Sequence, residues 1–288
     1  MDFIIDFYKS LETLDLIIFW GIIIVIILLL IFSFILINKN KKLKKIIVNN
    51  DKIENEEKII ELAKKRVETK APIQHLLGFS RFMGEKYIVN ENVLIPRDET
   101  EILVNKAYEL IKNIKTKIDI LDIGVGSGCI SCALAKKLKD KDIEILGVDI
   151  SLEALEVAIE NVNKLDLVRK VILRKSDIYS KIRPIEKFDL IISNPPYIPI
   201  NERENLQEEV KNFDPKLALF AFDKDGVEFY SRIILDAKNC LKPNGFLAFE
   251  LGINQAQLVK NMLEADFKNI EITPDLAGIE RVITAQLK

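Results

Sequence analysis

From residue 118 onward, short apolar runs alternate with stretches in which apolar residues recur at helical spacing. The predicted strands are residues 118–123, 144–148, 170–174, 188–192, 245–250 and 280–285, and the predicted helices lie at about 129–138, 151–164, 225–241 and 254–265. Short buried strands that alternate with amphipathic helices are typical of a mostly parallel sheet with helices on both faces. The pattern therefore predicts an α/β domain at residues 102–288.

The residues before this domain carry shorter patterns. Apolar residues recur among Glu and Lys in residues 51–69, which predicts a helix that ends before Pro72. Aromatic and β-branched residues surround Gly84 in residues 79–89, which indicates a short hairpin. A further helix is expected from about Asp98, because acidic residues in its first turn favour the helix dipole.

The segment from Leu16 to Ile37 contains 22 consecutive residues without a charge, nearly all Ile, Leu, Val or Phe. At ~1.5 Å per residue, such a helix just spans a hydrocarbon core of ~30 Å. We therefore predict a single transmembrane helix that anchors the protein in a membrane. A signal peptide fits poorly because its basic flank precedes the apolar run. A hydrophobic helix buried in an oligomer and a misassigned start codon remain alternatives.

The charges on either side of this segment differ. Residues 1–38 contain one lysine and four acidic residues, a net charge of −3, whereas five lysines lie between residues 39 and 45. The positive-inside rule then places the α/β domain in the cytoplasm. The predicted organisation is an N-terminal segment at 1–15, a transmembrane helix at 16–37, a basic juxtamembrane segment and helix at 38–77, a hairpin and linker at 78–101, and the α/β domain at 102–288.

The overall composition excludes several classes of function. The formal net charge of the chain is −2, so the residues after 38 are almost neutral and give little attraction to nucleic acid phosphates. His75 is the only histidine, which leaves no pair for a zinc site or for Ser-His or Cys-His catalysis. Cys129 and Cys132 lie among small residues with no second pair, so we interpret them as core-facing helix residues and predict no metal site.

A glycine-rich loop follows the first predicted strand of the α/β domain. Gly124, Gly126 and Gly128 alternate at the strand's carboxyl end, where glycine permits tight turns and close approach of a ligand. The second strand leads to Asp149, which can accept hydrogen bonds from both ribose hydroxyls of an adenosine. After the third strand, Asp177 can accept from the adenine amine while Ile178 packs on the ring, although Asp177 as a helix cap is an alternative.

The spacing of the three glycines differs from the Gly-x-Gly-x-x-Gly of dinucleotide sites, and no second nucleotide-binding half is evident. An adenosine with a short charged tail fits better than NAD. S-adenosylmethionine is such a ligand, and we predict it as the cofactor.

The fourth predicted strand leads into Asn194, Pro195, Pro196 and Tyr197. The two prolines restrict the backbone and remove two N–H donors, so the loop is rigid and rich in acceptors. The side-chain oxygen of Asn194 and the carbonyl of Pro195 can both accept from one planar NH2 group, and Tyr197 can stack on its face. The loop therefore predicts methylation of an amide or amino nitrogen, with a purely structural Pro-Pro turn as the alternative.

These residues resemble the HemK/PrmC protein-(glutamine-N5) methyltransferases, which modify the Gly-Gly-Gln loop of peptide chain release factors. The likeness runs from about Lys70 to the C-terminus. It is carried by the glycine loop, by Asn-Pro-Pro-Tyr, and by three further strings: Ala71-Pro72-Ile73-Gln74-His75-Leu76-Leu77-Gly78, Val93-Leu94-Ile95-Pro96-Arg97-Asp98-Glu99-Thr100-Glu101 and Asp275-Leu276-Ala277-Gly278-Ile279-Glu280-Arg281-Val282. The Ile-Pro-Arg-x-Glu-Thr-Glu string is the most specific of them.

The resemblance implies a Rossmann-like S-adenosylmethionine-dependent methyltransferase domain that acts on a release factor. The implied cofactor residues are Gly124, Val125, Gly126, Ser127, Gly128, Asp149, Asp177, Ile178 and Asn194, and the implied substrate residues are Asn194, Pro195, Pro196 and Tyr197, with Asn194, Pro195 and Tyr197 catalytic.

Two departures from the family pattern stand out. Asp98 replaces the usual proline, and the predicted membrane span with the 51–69 helix replaces the soluble helical domain with which family members begin. We expect no direct contact with nucleic acid. Methylation of adenine N6 in DNA or RNA is the alternative function, and a tethered non-enzymatic binder is a third hypothesis.

Overall fold

The structure is a computed structural model that describes residues 56–288. The chain divides into two units, Met1–Glu61 and Leu62–Lys288. Of the first unit, only the start of helix α1 (Glu56–Thr69) lies among the described residues. The second unit contains every other element described below.

The elements before the central sheet are short. Helix α2 (Ile73–Leu77) leads into a hairpin of strands β1 (Phe79–Phe82) and β2 (Glu85–Ile88), as the sequence predicted, and helix α3 follows at Thr100–Ile111. The alternating part of the chain then comprises β3 (Ile118–Ile123), α4 (Cys129–Lys137), β4 (Ile143–Asp149), α5 (Leu152–Lys164), β5 (Val171–Lys175) and β6 (Phe188–Ser193).

A segment of short elements separates β6 from the rest of the domain, and the sequence analysis predicted none of them. It contains β7 (Ile198–Pro199), a 3-10 helix (Ile200–Asn205), α6 (Glu208–Phe213), α7 (Lys216–Leu219) and β8 (Phe220–Ala221). The domain ends with α8 (Glu228–Cys240), β9 (Leu241–Glu250), α9 (Ala256–Leu263), β10 (Phe267–Pro274) and β11 (Glu280–Leu287).

Seven strands form the central sheet in the order β10-β11-β9-β6-β3-β4-β5. The five strands from β9 to β5 are parallel, and β11 pairs antiparallel with both β9 and β10. This arrangement confirms the mostly parallel, Rossmann-like fold. The sequence analysis missed β10 because it is an edge strand with few buried positions, so its apolar residues do not form a continuous run.

Two apolar clusters cover the faces of this sheet. One cluster joins the sheet to α3 and α4, and the other joins it to α8 and α9. Cys129 and Cys132 belong to the first cluster, as predicted, and burial raises the pKa of the Cys129 thiol to about 12. The strand ends are therefore fixed by packing on both sides, and the loops that follow them start from rigid positions.

The prediction of a membrane-anchored protein is wrong. Within residues 56–288, no helix has both the length and the apolar character required to cross a bilayer. The longest helix of this part, α1, has 14 residues and carries charges along its length, so at ~1.5 Å per residue it falls well short of a ~30 Å core. The segment 16–37, to which the transmembrane helix was assigned, lies outside the described residues.

Candidate active site

A cavity of about 450 Å³ opens at the carboxyl ends of the parallel strands. It is lined by residues that follow β3, β4, β5 and β6 and by the segment before α3. The predicted residues among its walls are Gly124, Val125, Gly126, Ser127, Asp149, Asp177, Ile178, Asn194, Pro195 and Pro196. Ligand sites of open α/β sheets lie at this edge, so the cavity is the candidate active site.

The glycine loop lies against Asp149, the residue predicted to bind a ribose. Gly124, Gly126 and Gly128 all have positive φ, at 74°, 53° and 79°. The backbone N–H of Gly126 donates to Asp149 Oδ2 at 3.0 Å, and the N–H of Ser151 donates to Oδ1 at 3.0 Å. Burial raises the pKa of Asp149, and the backbone donors oppose this shift. The carboxylate is thus held in place with acceptor capacity left for the hydroxyls of a ligand.

Gly128 does not line the cavity with its neighbours. A Cβ at this position would lie 3.4 Å from the Cβ of Ala158, which is ordinary contact, so the positive φ and not the available space requires glycine here.

Asn161 anchors the same loop, and the sequence analysis missed it. Its side-chain amide donates to the carbonyls of Ser127 and Ile88, both at 2.9 Å, and its oxygen accepts from the Ile88 N–H at 2.6 Å. Asn161 is fully buried on α5. It therefore fixes the glycine loop to strand β2.

Asp122 is a fully buried carboxyl group at the end of β3. Its Oδ2 accepts from the Ser131 hydroxyl at 2.6 Å, while Oδ1 has no hydrogen-bond partner among the described residues. Burial raises its pKa to about 7, opposed by Ser131 and supported by the charge of Asp149.

Asp177 lies at the wall of the cavity, where it forms an ion pair with Arg232. Arg232 of α8 donates through one nitrogen to both carboxylate oxygens, at 2.8 and 2.9 Å, and both residues line the cavity. Ile178 beside it has a φ of 47° and is partly buried. The role of Asp177 toward adenine stays a prediction, with Arg232 as a residue that the sequence analysis did not find.

The two predicted loops leave the sheet side by side. Strands β3 and β6 pair in parallel with Ile123 opposite Ser193, and the Ser193 hydroxyl donates to the Ile123 carbonyl at 2.7 Å. Gly124 directly follows β3, and Asn194 directly follows β6. The glycine loop and the Asn-Pro-Pro loop therefore share one edge of the cavity.

Asn194 is connected to two buried polar residues that the sequence analysis missed. Its amide Nδ2 donates to Thr100 Oγ1 at 3.3 Å, and the Thr100 hydroxyl donates to Glu250 Oε2 at 2.6 Å. Thr100 is the first residue of α3, and Glu250 is the last residue of β9. A carboxylate that directly follows the apolar stretch 246–249 is the signal that marks Glu250 in the sequence.

Burial raises the pKa of Glu250 to about 7. The Thr100 hydroxyl, Arg281 and the Asn194 amide oppose this shift, and the charge of Glu99 adds to it. Glu250 thus changes charge near neutral pH.

Tyr197 does not lie among the described residues that line the cavity. It packs on the apolar cluster that contains β9, and burial raises its pKa. Gln255 donates to the Tyr197 carbonyl at 2.8 Å, and Gly226 has a positive φ of 70° beside that carbonyl, where a Cβ would collide with it. The predicted stacking of Tyr197 on a substrate stays a prediction.

The segment between β7 and β8 is held over the site by ion pairs. Arg97 donates to the buried carboxylate of Asp214 at 2.7 Å, and Arg66 pairs with Glu209. Arg97 lines the cavity, as do Leu217 and Ala218 of the segment and Phe222, which directly follows β8. Leu217 and Phe222 are largely exposed, so the mouth of the cavity has an apolar rim.

The chain is similar in sequence to known methyltransferases. Residues 100–212 match the family model described as "Methyltransferase small domain". A release factor glutamine methyltransferase of Fusobacterium nucleatum is 41% identical over 238 residues, covering 82% of this chain and 65% of that protein. One of Bacillus cereus is 37% identical over 240 residues, covering 82% of this chain and 83% of that protein.

Among solved structures, the hMettl16 catalytic domain in complex with an RNA hairpin has a TM-score of 0.55 at 16% identity, over 78% of this chain and 91% of that chain. A likeness at that identity shows the shared fold alone. The sequence similarity over 82% of this chain is more specific, and it agrees with the Asn-Pro-Pro loop placed beside the glycine loop. The chain belongs to the family of release factor glutamine methyltransferases.

Proposed function

We propose that this protein transfers a methyl group from S-adenosylmethionine to the side-chain amide nitrogen of the glutamine in the Gly-Gly-Gln loop of peptide chain release factors. The observation that carries the proposal is the orientation of Asn194, whose NH2 group is bonded to Thr100 at the back of the cavity. Its Oδ1 is thereby available as an acceptor for a planar NH2 group. Relatives named release factor glutamine methyltransferase support the substrate.

The residues present fit S-adenosylmethionine. A cavity of about 450 Å³ is in the size range of small-molecule sites, and Asp149 offers acceptors to ribose hydroxyls beside a loop of three glycines with positive φ. When bound, this cofactor supplies an electrophilic methyl group on a sulfonium.

The chain's contribution to the reaction is orientation and stabilisation of charge. Asn194 Oδ1 and the Pro195 carbonyl each accept a hydrogen bond from one N–H group of the glutamine amide. These two hydrogen bonds favour tetrahedral geometry at the nitrogen and stabilise the positive charge that develops there. The glutamine nitrogen would receive the methyl group from the sulfonium, which becomes a neutral thioether, and would lose one N–H proton to solvent. Orientation of the nitrogen is expected to contribute much of the rate, since well-aligned reactions gain up to ~7–11 kcal/mol.

The direct test is methyl transfer by the purified full chain with radiolabelled S-adenosylmethionine. A release factor with the intact Gly-Gly-Gln loop is compared with one in which that glutamine is replaced by alanine, and with duplex DNA and RNA. We expect label only in the intact release factor, and a mass increase of one methyl on its glutamine. Label in nucleic acid, or equal label in both release factors, would contradict the proposal.

A further inference from the structure

Three residues from distant parts of the chain form one hydrogen-bonded series behind the substrate side of the cavity. Glu250 accepts from the Thr100 hydroxyl at 2.6 Å, and Thr100 accepts from the Asn194 amide at 3.3 Å. Thr100 and Asn194 line the cavity, whereas Glu250 is 2% exposed. The series therefore leads from the protein interior to the group that would contact the substrate.

The direction of this series follows from the number of hydrogens available. A threonine hydroxyl has one hydrogen, and the short bond to a carboxylate uses it. Toward Asn194, Thr100 can then act only as an acceptor, so Asn194 must present its NH2 group. The Asn194 oxygen is therefore directed to the other side of the amide, which is the orientation that an acceptor for the substrate requires.

We propose that Glu250 and Thr100 are positioning residues, which fix the amide orientation of Asn194 and thereby present its oxygen to the amide that is methylated. The inference rests on the proposed function for the identity of the substrate. The orientation itself rests only on the three residues and their bonds. Without the Thr100 hydroxyl, Asn194 can rotate its amide and present its own NH2 group to the substrate NH2 group. Two donors that face each other repel, so the substrate amide would no longer be held.

Protonation of Glu250 removes the same constraint, because a neutral carboxyl group can donate to Thr100 and free the hydroxyl hydrogen. The charged and titratable groups around Glu250 are Glu99 before α3, Arg281 on β11, Tyr197 after β6, Tyr230 on α8 and Cys129 on α4. Burial and Glu99 favour the neutral form, while Arg281, the Thr100 hydroxyl and the Asn194 amide favour the charged form. Methyl transfer is thus expected to rise with pH as Glu250 loses its proton.

The experiment compares Thr100→Val, which keeps the shape and removes the hydroxyl, with Thr100→Ser, which keeps the hydroxyl. For Thr100→Val we expect kcat toward the release factor to fall on the order of 100-fold, because a misplaced acceptor loses alignment. The dissociation constant of S-adenosylhomocysteine should stay within about twofold. Thr100→Ser should restore most of kcat, and Glu250→Gln should remove the acidic limb of the pH profile.

A second readout needs no substrate. In the full chain labelled with ¹⁵N, the side-chain NH2 resonances of Asn194 should shift as Glu250 titrates, and should lose this titration in both Thr100→Val and Glu250→Gln. If the wild-type chain methylates no release factor but this titration is present, the substrate proposal fails and the positioning proposal stands. If Thr100→Val transfers methyl groups as fast as Thr100→Ser, or the Asn194 resonances do not follow Glu250, the positioning proposal is wrong.

Discussion

The two walls of the cavity are built differently. The cofactor wall comes from successive strand–loop units, since the glycine loop, Asp149 and Ile178 lie at the ends of β3, β4 and β5, and backbone N–H groups donate to Asp149. The substrate wall contains the side chains of Asn194 and Thr100, and Glu250 accepts from Thr100 behind this wall. A wall of backbone groups follows from local sequence, whereas a wall of side chains requires the tertiary fold to be correct. Substitutions in the substrate wall should therefore lower kcat, whereas substitutions in the cofactor wall should lower the affinity for the cofactor.

The largest effect is expected at Asn194. Asn194→Ala removes an acceptor that acts on the developing charge, so kcat should fall by about 10²–10³-fold. The affinity for S-adenosylhomocysteine should change by less than about threefold, because Gly126 and Asp149 remain. Steady-state kinetics with the release factor and isothermal titration calorimetry with S-adenosylhomocysteine measure the two quantities.

The matched control for this change is Asn239→Ala, because Asn239 is an exposed residue of α8. It should leave both quantities unchanged. A near-normal kcat in Asn194→Ala would show that Asn194 does not act on the substrate, and it would contradict both the distinction between the walls and the proposed substrate.

Asp149 should give the opposite result. Asp149→Ala removes an acceptor for the ribose and the anchor of the Gly126 and Ser151 N–H groups. Hydrogen bonds to charged groups contribute about 1.5–3 kcal/mol, so cofactor affinity should fall by about 10–100-fold. At saturating cofactor, kcat should recover to within a few-fold of wild type. Asp140→Ala, at an exposed site, is the control, and a loss confined to kcat would place Asp149 on the wrong wall.

Gln255 tests whether the substrate loop depends on support from outside the cavity. Its amide donates to the carbonyls of Tyr197 and Asp225, and its oxygen accepts from the Gly252 N–H at 3.0 Å. Gln255→Leu leaves these buried groups unpaired, at a cost of about 1–3 kcal/mol in the free energy of unfolding. We expect kcat to fall about tenfold through the displaced loop, with cofactor affinity retained.

Urea denaturation and kinetics on the same preparation measure both effects of Gln255→Leu. Gln257→Leu, two residues along on the exposed face of α9, should be neutral. A variant that loses cofactor affinity instead would show that the two walls are not independent.

The difference between the walls also explains what could be predicted from the sequence. The parallel strands and the glycine loop follow from short apolar runs and from residue spacing, so the sequence predicts both. Thr100, Glu250 and Gln255 could not be placed, because their hydrogen bonds join residues 94, 150 and 58 positions apart. The transmembrane prediction used hydropathy and charge over a window of the sequence, and the described helices do not support it.

The smallest effect concerns Asp122, a fully buried carboxyl group two residues before Gly124, whose pKa is as high as that of Glu250. Burial raises the pKa of Asp122 to about 7 from its ordinary value of 3.8, so the folded state binds its proton more tightly than the unfolded state. This contribution to stability is complete below about pH 4 and is lost as the pH rises through about 7. Between pH 6 and pH 8, the free energy of unfolding should therefore decrease by on the order of 1 kcal/mol through Asp122.

Asp122→Asn should reduce this dependence on pH, whereas Asp142→Asn, at an exposed site, should preserve it. Urea denaturation at pH 6 and pH 8 measures the difference for each variant. Asp122 has no bond to Asn194 among the described contacts, so the acidic limb of the methyl-transfer profile should remain in Asp122→Asn and disappear in Glu250→Gln. If Asp122→Asn instead removed that limb, turnover near neutral pH would be controlled by Asp122, and Glu250 would contribute to stability alone.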